Sequence, residues 1–266
     1  MVRAVVIRAA GINCEAEMAR GFELAGAAVD LVHVRALAAD PDRLDDYALI
    51  GFPGGFSYGD DAGSGRVLSL TVRERLYPAL RRAAGRGAAM LGICNGFQVL
   101  TQAGLLPGPP ETSWPAEPTP ATLALAENAR GRYADRWVRI EVDAASPCIW
   151  TRDLADDPSG EPMLPVGHGE GRFVAEQALV DDLLRTGRAP LRYADNFNGS
   201  AGGIAGVCDA SGRIFGLMPH PDRYLDWSRH PHWTRLDPGA LADHSTPGLK
   251  LFRNAVEAAR GAALVG

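Results

Sequence analysis

The sequence predicts a doubly wound α/β protein, with a mostly parallel sheet and helices on both faces. Three observations carry that expectation. Ala4-Val5-Val6-Ile7 is apolar at every position, as strands covered on both faces are. Strand-like and helix-period runs then alternate in the β-α-β rhythm of such sheets. Finally, Met90-Leu91-Gly92-Ile93-Cys94-Asn95-Gly96-Phe97-Gln98 reads as a buried strand, an abrupt turn at Cys94 and a helix from about Asn95.

The elements follow in order. Gly11-Ile12-Asn13-Cys14-Glu15 leads into a helix over about 15–25, with Asn13 as its N-cap and acids in its first turn. Met18, Phe22 and Ala25 share its inner face, and Gly26 ends it. Residues 29–34 and 47–52 are the next strands. A helix around 68–84 then precedes the strand at 88–93. Ligands of such sheets sit beyond the carboxyl ends of the strands, which selects the loops after Phe52 and Ile93. Residues 107–120 are rich in proline and lack periodicity, and read as a surface insertion in a single domain spanning 1–266.

Further on, residues 137–142 alternate as a half-buried strand, and 153–162 form a polar loop. Residues 164–166 run into His168-Gly169-Glu170-Gly171-Arg172, and 191–194 into Asp195-Asn196-Phe197-Asn198-Gly199-Ser200. The runs at 204–207 and 213–218, joined by Asp209-Ala210-Ser211-Gly212, form a hairpin. Leu249, Phe252, Val256 and Ala259 mark one face of a closing helix.

Composition narrows the class. A hydrophobic content of 46% with 22% charged residues is that of a globular protein with a full core. The net charge is −5 and Lys250 is the only lysine, so the arginines reflect composition bias and no nucleic-acid surface is expected. Residues 1–7 read as a strand, not a secretory leader, and no run approaches the ~18 apolar residues of a membrane span. Cys14, Cys94, Cys148 and Cys208 are scattered without C-x-x-C, which indicates neither a zinc site nor a disulfide framework. A cytoplasmic enzyme fits these traits.

The chemistry centres on Cys94. G-x-C-x-G has the spacing of a nucleophile elbow, in which a strand-to-helix turn holds a strained nucleophile between residues that must be small. A thiol there also meets the positive end of the helix dipole. The alternative is a buried cysteine between two loop glycines. The loop from Pro53 to Gly65 closes with no Gly-Lys-Ser/Thr, so it is no phosphate loop. It is either a flexible connection or, through Gly54 and Gly55, half of an oxyanion site beside the nucleophile. Pro219-His220-Pro221-Asp222-Arg223 offers a base. An extended backbone between the prolines would place His220 and Asp222 on one side, as an imidazole and its orienting carboxylate require. His168, with Glu170 two residues on, is the rival pair. His230-Pro231-His232 is a weak metal half-site lacking a third ligand.

Taken together, G-I-C-N-G-F-Q at 92–98 and M-P-H-P-D-R at 218–223 resemble the class I (triad) glutamine amidotransferases. So do G-I-N-C-E at 11–15, F-P-G-G-F-S-Y-G-D at 52–60, H-G-E-G-R at 168–172, Y-A-D-N-F-N-G-S at 193–200 and G-L-K-L-F-R-N-A-V-E at 248–257. The resemblance covers nearly the whole chain and implies a flavodoxin-like fold. It implies that Cys94 forms a γ-glutamyl thioester from L-glutamine, that His220 and Asp222 serve as base and orienter, and that Asn95 with Gly54 or Gly55 holds the oxyanion. By the same resemblance Gln98 lines the glutamine pocket, while His168, Glu170 and Arg172 are candidates for substrate or partner contacts. The implied role is to supply ammonia to a large synthetase subunit of de novo purine biosynthesis, which activates formylglycinamide ribonucleotide with ATP and Mg. A small third subunit accompanies bacterial versions. This chain itself is expected to need no cofactor or metal.

Two departures accompany the resemblance. The family usually has H-P-E-R, whereas position 222 is aspartate, one methylene shorter, so the backbone must approach more closely or the triad weakens. The second is the length of the proline-rich run. Rival readings are an amidotransferase with another acceptor, and a related cysteine-elbow hydrolase or chaperone of the same superfamily.

Overall fold

β-Branched and other apolar runs make the central strands of this chain. The computed structural model describes residues 1–110, 113–156, 162–241 and 244–263. The first four strands are β1 (Arg3–Arg8), β2 (Ala28–His33), β3 (Leu49–Phe52) and β4 (Ala89–Ile93). Then come β5 (Leu123–Ala126), β6 (Ala134–Val142), β7 (Met163–His168) and β8 (Arg172–Ala175). The last are β9 (Leu191–Tyr193), β10 (Ile204–Cys208) and β11 (Ile214–Leu217). The helices are α1 (Glu15–Leu24), α2 (Val34–Ala39), α3 (Arg66–Thr71), α4 (Tyr77–Gly85) and α5 (Asn95–Gln102). They continue with α6 (Gln177–Arg185), α7 (Pro238–Leu241) and α8 (Pro247–Ala263).

One sheet runs in the order β2-β1-β3-β4-β11-β10-β9-β6-β7. Neighbours from β2 to β11 are parallel, and those from β11 to β7 antiparallel. The parallel part is what the β-α-β alternation predicts, and the expected hairpin of β10 and β11 joins the antiparallel strands to it. β5 and β8 form a separate antiparallel ribbon that no periodicity announced.

Both faces of the central strands are covered. A Cβ on Gly51 would meet Met18 and Phe22 of α1, whereas a Cβ on Gly96 of α5 would meet Phe52. Adjacent strand residues face opposite ways, so α1 and α5 lie on opposite sides of β3. The Phe22 and Phe252 rings meet edge to face at 5.0 Å and seat α8 on α1. The central strands are accordingly buried at every position of β3, β4 and β11.

Several local expectations are corrected. Helix α1 starts after Cys14 with no side-chain cap, and the Asn13 side-chain Oδ1 instead accepts a hydrogen bond from the Cys14 thiol at 3.2 Å. The single helix expected around 68–84 is α3, a π-turn (Val72–Leu76) and α4. Pro78 has no N–H for the regular ladder, and the wider turn precedes it. The proline-rich run is anchored: Arg73 donates to the carbonyls of Pro118 and Thr119, and Tyr77 to that of Pro115. Glu111, Thr112 and residues 157–161 of the expected polar loop lie outside the described residues. Among the described residues no helix is long and apolar enough to cross a membrane.

Candidate active site

The turn after β4 is strained as the glycine spacing predicts. Cys94 has φ 51° and ψ −107°, a conformation costly for a residue bearing a Cβ, and its carbonyl accepts the amides of Phe97 and Gln98. The crossing of strand and helix leaves no room beside it. A Cβ on Gly96 would lie 1.8 Å from the Phe52 carbonyl oxygen, and one on Gly92 would lie 2.7 Å from Gly96. The Cys94 Sγ faces the Gly167 carbonyl at 3.7 Å.

Register brings the base to this turn. Ile93 of β4 pairs with Leu217 of β11 in parallel, and the next amide, that of Cys94, donates to the Leu217 carbonyl at 2.8 Å. The chain continues from β11 to His220, whose amide is fixed by the Pro165 carbonyl at 2.7 Å. His220 and Asp222 are both buried, with Nδ1 and Oδ1 at 3.2 Å. The expected extended backbone is not what joins them. Pro221–Arg223 is a 3-10 turn, for which Pro221 presets φ at the first position. Burial alone would lower the His220 pKa, but the charge and hydrogen bond of Asp222 and the nearby Cys14 and Cys94 thiols outweigh it and hold it well above the usual value. Nε2 is buried and meets no partner at hydrogen-bond geometry.

The glycine loop forms the adjacent wall. Gly55 and Ile12 form an isolated antiparallel bridge, flanked by hydrogen bonds from Asn13 N to Gly54 O and from Phe56 N to Gly11 O. In such a pair the Gly55 N–H points away from Ile12. Gly54 lies against the site itself: a Cβ there would stand 2.7 Å from His220 Cε1 and 3.5 Å from Cys94 Cβ.

On the other side, Asn95 Nδ2 donates to Gln98 Oε1 at 3.0 Å and to Asp60 Oδ1 at 3.2 Å, while Asn95 Oδ1 accepts from Ser57 N. Gln98 Nε2 donates to the Glu170 carbonyl. Burial pushes the Asp60 carboxyl upward, against the donors Gly65, Ser64 and Asn95. A cleft lined by Gly63, Ser64, Arg66, Gln98, Leu123 and Glu170 opens beside Gln98.

The H-G-E-G-R residues separate. His168 is 3% exposed, with neither ring nitrogen hydrogen-bonded, and burial followed by the charge of His220 lowers its pKa to about 4. Glu170 meets Gln98 through its backbone. Arg172 points elsewhere, with Nε donating to the Glu127 carbonyl at 2.8 Å. The rival His168–Glu170 pair has no hydrogen bond between its side chains among the described residues.

Several neighbours escaped the sequence reading. Cys14, from the first strand-end loop, reaches the triad and accepts from Arg223 Nη2 at 3.2 Å. Tyr193 is buried and lies in the electrostatic range of Cys94. Tyr133 borders Gly167, its hydroxyl 3.2 Å from where a Cβ would be. Only Cys14 had a usable signal, since G-I-N-C-E follows β1 at the same sheet edge.

Known proteins share the sequence and fold of this chain. The model of the CobB/CobQ-like glutamine amidotransferase domain matches residues 1–257. The chain is 38% identical to phosphoribosylformylglycinamidine synthase subunit PurQ of Dehalococcoides mccartyi, covering 97% of this chain and 98% of that one. It is 36% identical to the subunit of the same name from Methanococcus maripaludis, covering 96% of each. Among solved structures, PurLQS of Thermotoga maritima contains a chain matching with TM-score 0.72 and 32% identity, over 97% of this chain and 98% of that one.

Proposed function

The chain belongs to the CobB/CobQ-like glutamine amidotransferase family and, within it, to the relatives named phosphoribosylformylglycinamidine synthase subunit PurQ, and from that premise we propose how its residues act. It is the glutaminase subunit of such a synthase. It hydrolyses L-glutamine to glutamate and ammonia, and the ammonia serves a synthetase subunit in de novo purine biosynthesis. That partner uses ATP and Mg to activate formylglycinamide ribonucleotide, a small third subunit joins the complex, and the assembly is cytoplasmic.

Cys94 Sγ attacks the γ-amide carbon of glutamine, and its proton passes to His220. Asp222 fixes the imidazole tautomer and stabilises the imidazolium. The developing oxyanion is held by the amide of Asn95, in the first helical turn where no preceding turn supplies an acceptor, and by that of Gly55 or Gly54. His220 then protonates the departing nitrogen, which leaves as ammonia. Water attacks the resulting thioester with His220 as base, releasing glutamate and the thiol. Gln98, held by Asn95 and the Glu170 carbonyl, faces the substrate pocket, and Arg172 is turned to the periphery where a partner docks.

The carrying observation is the Ile93–Leu217 register, which places the strained Cys94 and the buried His220–Asp222 pair at one sheet edge. The test reconstitutes the chain with its large subunit. Cys94→Ala should lose glutamine-dependent synthesis and keep synthesis from ammonium salts. Retention of glutamine-dependent synthesis by this variant would refute the assignment.

A further inference from the structure

A cluster beside the elbow shares two residues with the catalytic triad. Cys14, His220 and Asp222 come from two different strand-end loops, and each is at most 2% exposed. One sulfur, one ring nitrogen and one carboxylate oxygen lie within 4.8 Å of one another. Tetrahedral zinc with bonds of about 2.0–2.3 Å separates its ligand atoms by roughly 3.3–3.8 Å. Side-chain adjustments of about 1 Å would therefore close the three atoms around an ion.

An unsatisfied acceptor points the same way. Asp222 Oδ2 is buried and has no hydrogen-bond partner. Unpaired polar atoms in a dry interior carry a desolvation cost that a bound cation removes. The mixed S, N, O donor set suits a borderline-soft divalent ion, not magnesium or calcium. The Cys14 amide is anchored on the Gly54 carbonyl at 3.2 Å, which fixes the thiol's approach. Arg223 Nη2 now donates to Cys14 Sγ, and an arriving ion displaces that donor.

We propose that Cys14, His220 and Asp222 form a binding site for a thiophilic divalent cation such as Zn²⁺. Because the ion occupies the imidazole and its orienting carboxylate, it inhibits the glutaminase. That consequence rests on the roles given to His220 and Asp222 above, whereas binding itself does not.

The test starts from the full chain carrying Cys94→Ala, which removes the other thiol near His220. Co²⁺ is titrated for its thiolate charge-transfer absorption, and Zn²⁺ affinity is measured by competition with a chromophoric chelator. One equivalent should bind with a thiolate band. Adding Cys14→Ser should abolish the band and weaken Zn²⁺ by at least about 100-fold, beyond the ~10–100-fold typical of losing an outer-sphere partner. Cys14→Ala and Asp222→Asn in the same background should weaken it likewise, which guards against a folding defect in one variant. No thiolate band in Cys94→Ala, or a band and affinity unaffected by Cys14→Ser, would overturn the site. In the otherwise native chain reconstituted with its large subunit, Cys14→Ser should raise the Zn²⁺ concentration for half-inhibition of glutamate release at least tenfold. If that complex lacks glutaminase activity, the functional reading fails while the binding arm still decides the site.

Discussion

Asp222 Oδ1 stands 3.2 Å from His220 Nδ1 across a single 3-10 turn. Such a turn advances about 2 Å per residue, against about 3.3 Å in a strand. The turn is tight enough for aspartate, shorter than glutamate by one C–C bond of ~1.5 Å, to meet the imidazole. A carboxylate one methylene shorter therefore still reaches the ring.

The fit should make position 222 intolerant in both directions. Asp222→Asn leaves the shape but frees the tautomer, and should lower kcat on the order of 10³–10⁴-fold. Asp222→Glu pushes an extra methylene into a buried site and should cost about 10²-fold through displacement of the imidazole. Glutamate release by the reconstituted complex measures both. Near-native kcat in Asp222→Asn would show that the carboxylate does not orient His220.

Gly54 and Gly96 are closed to side chains for different reasons. A Cβ on Gly54 meets the movable ring of His220, so Gly54→Ala should keep the melting temperature within a few degrees and lower kcat about 10²-fold. A Cβ on Gly96 meets the backbone of Phe52, so Gly96→Ala should destabilise by several kcal/mol or prevent folding. Thermal melts and kcat for the two variants should separate these effects, and equal melting temperatures would contradict the account.

His168 should shape the acid limb of stability. Its pKa falls from 6.5 to about 4 on folding, chiefly through burial. Between those values the unfolded chain binds a proton that the native protein excludes, so stability drops as pH falls through the window. The loss should approach about 3 kcal/mol by pH 4, at ~1.4 kcal/mol per pH unit. His168→Gln removes this titration and should flatten urea-derived stability over that range relative to the native chain. Parallel curves would mean the native ring titrates normally.

Gln98 should act on substrate binding. Its amide is held by Asn95 and the Glu170 carbonyl at the edge of the cleft. Gln98→Ala should raise KM for glutamine roughly fivefold, the worth of about 1 kcal/mol of hydrogen bonding. It should leave ammonium-dependent synthesis unchanged. A fall in kcat at constant KM would place Gln98 in the chemistry instead.

Local signals made much of the site legible in sequence. The G-x-C-x-G spacing announced the strained turn because the packing there tolerates no Cβ on either side. Paired prolines announced a fixed backbone around His220, although they specified a tight turn and not the extended segment expected. Asn13 shows the same limit, since a good capping residue was drawn into contact with the Cys14 thiol instead of the helix amides.

The sequence alone determined the parallel β-α-β core and the elbow at Cys94, set by periodicity and steric demands a few residues long, and narrowed the base to two histidine–acid pairs between which only the family resemblance chose. Tertiary structure decided that Ile93 and Leu217 share a register and so bring Cys94 to His220. It also decided that His168 is buried away from Glu170, and that Cys14 joins the site from the first strand's loop. The first and last of these relationships depend on strand order and pairing across more than a hundred residues, which backbone hydrogen bonds and core packing fix only once the whole sheet has formed.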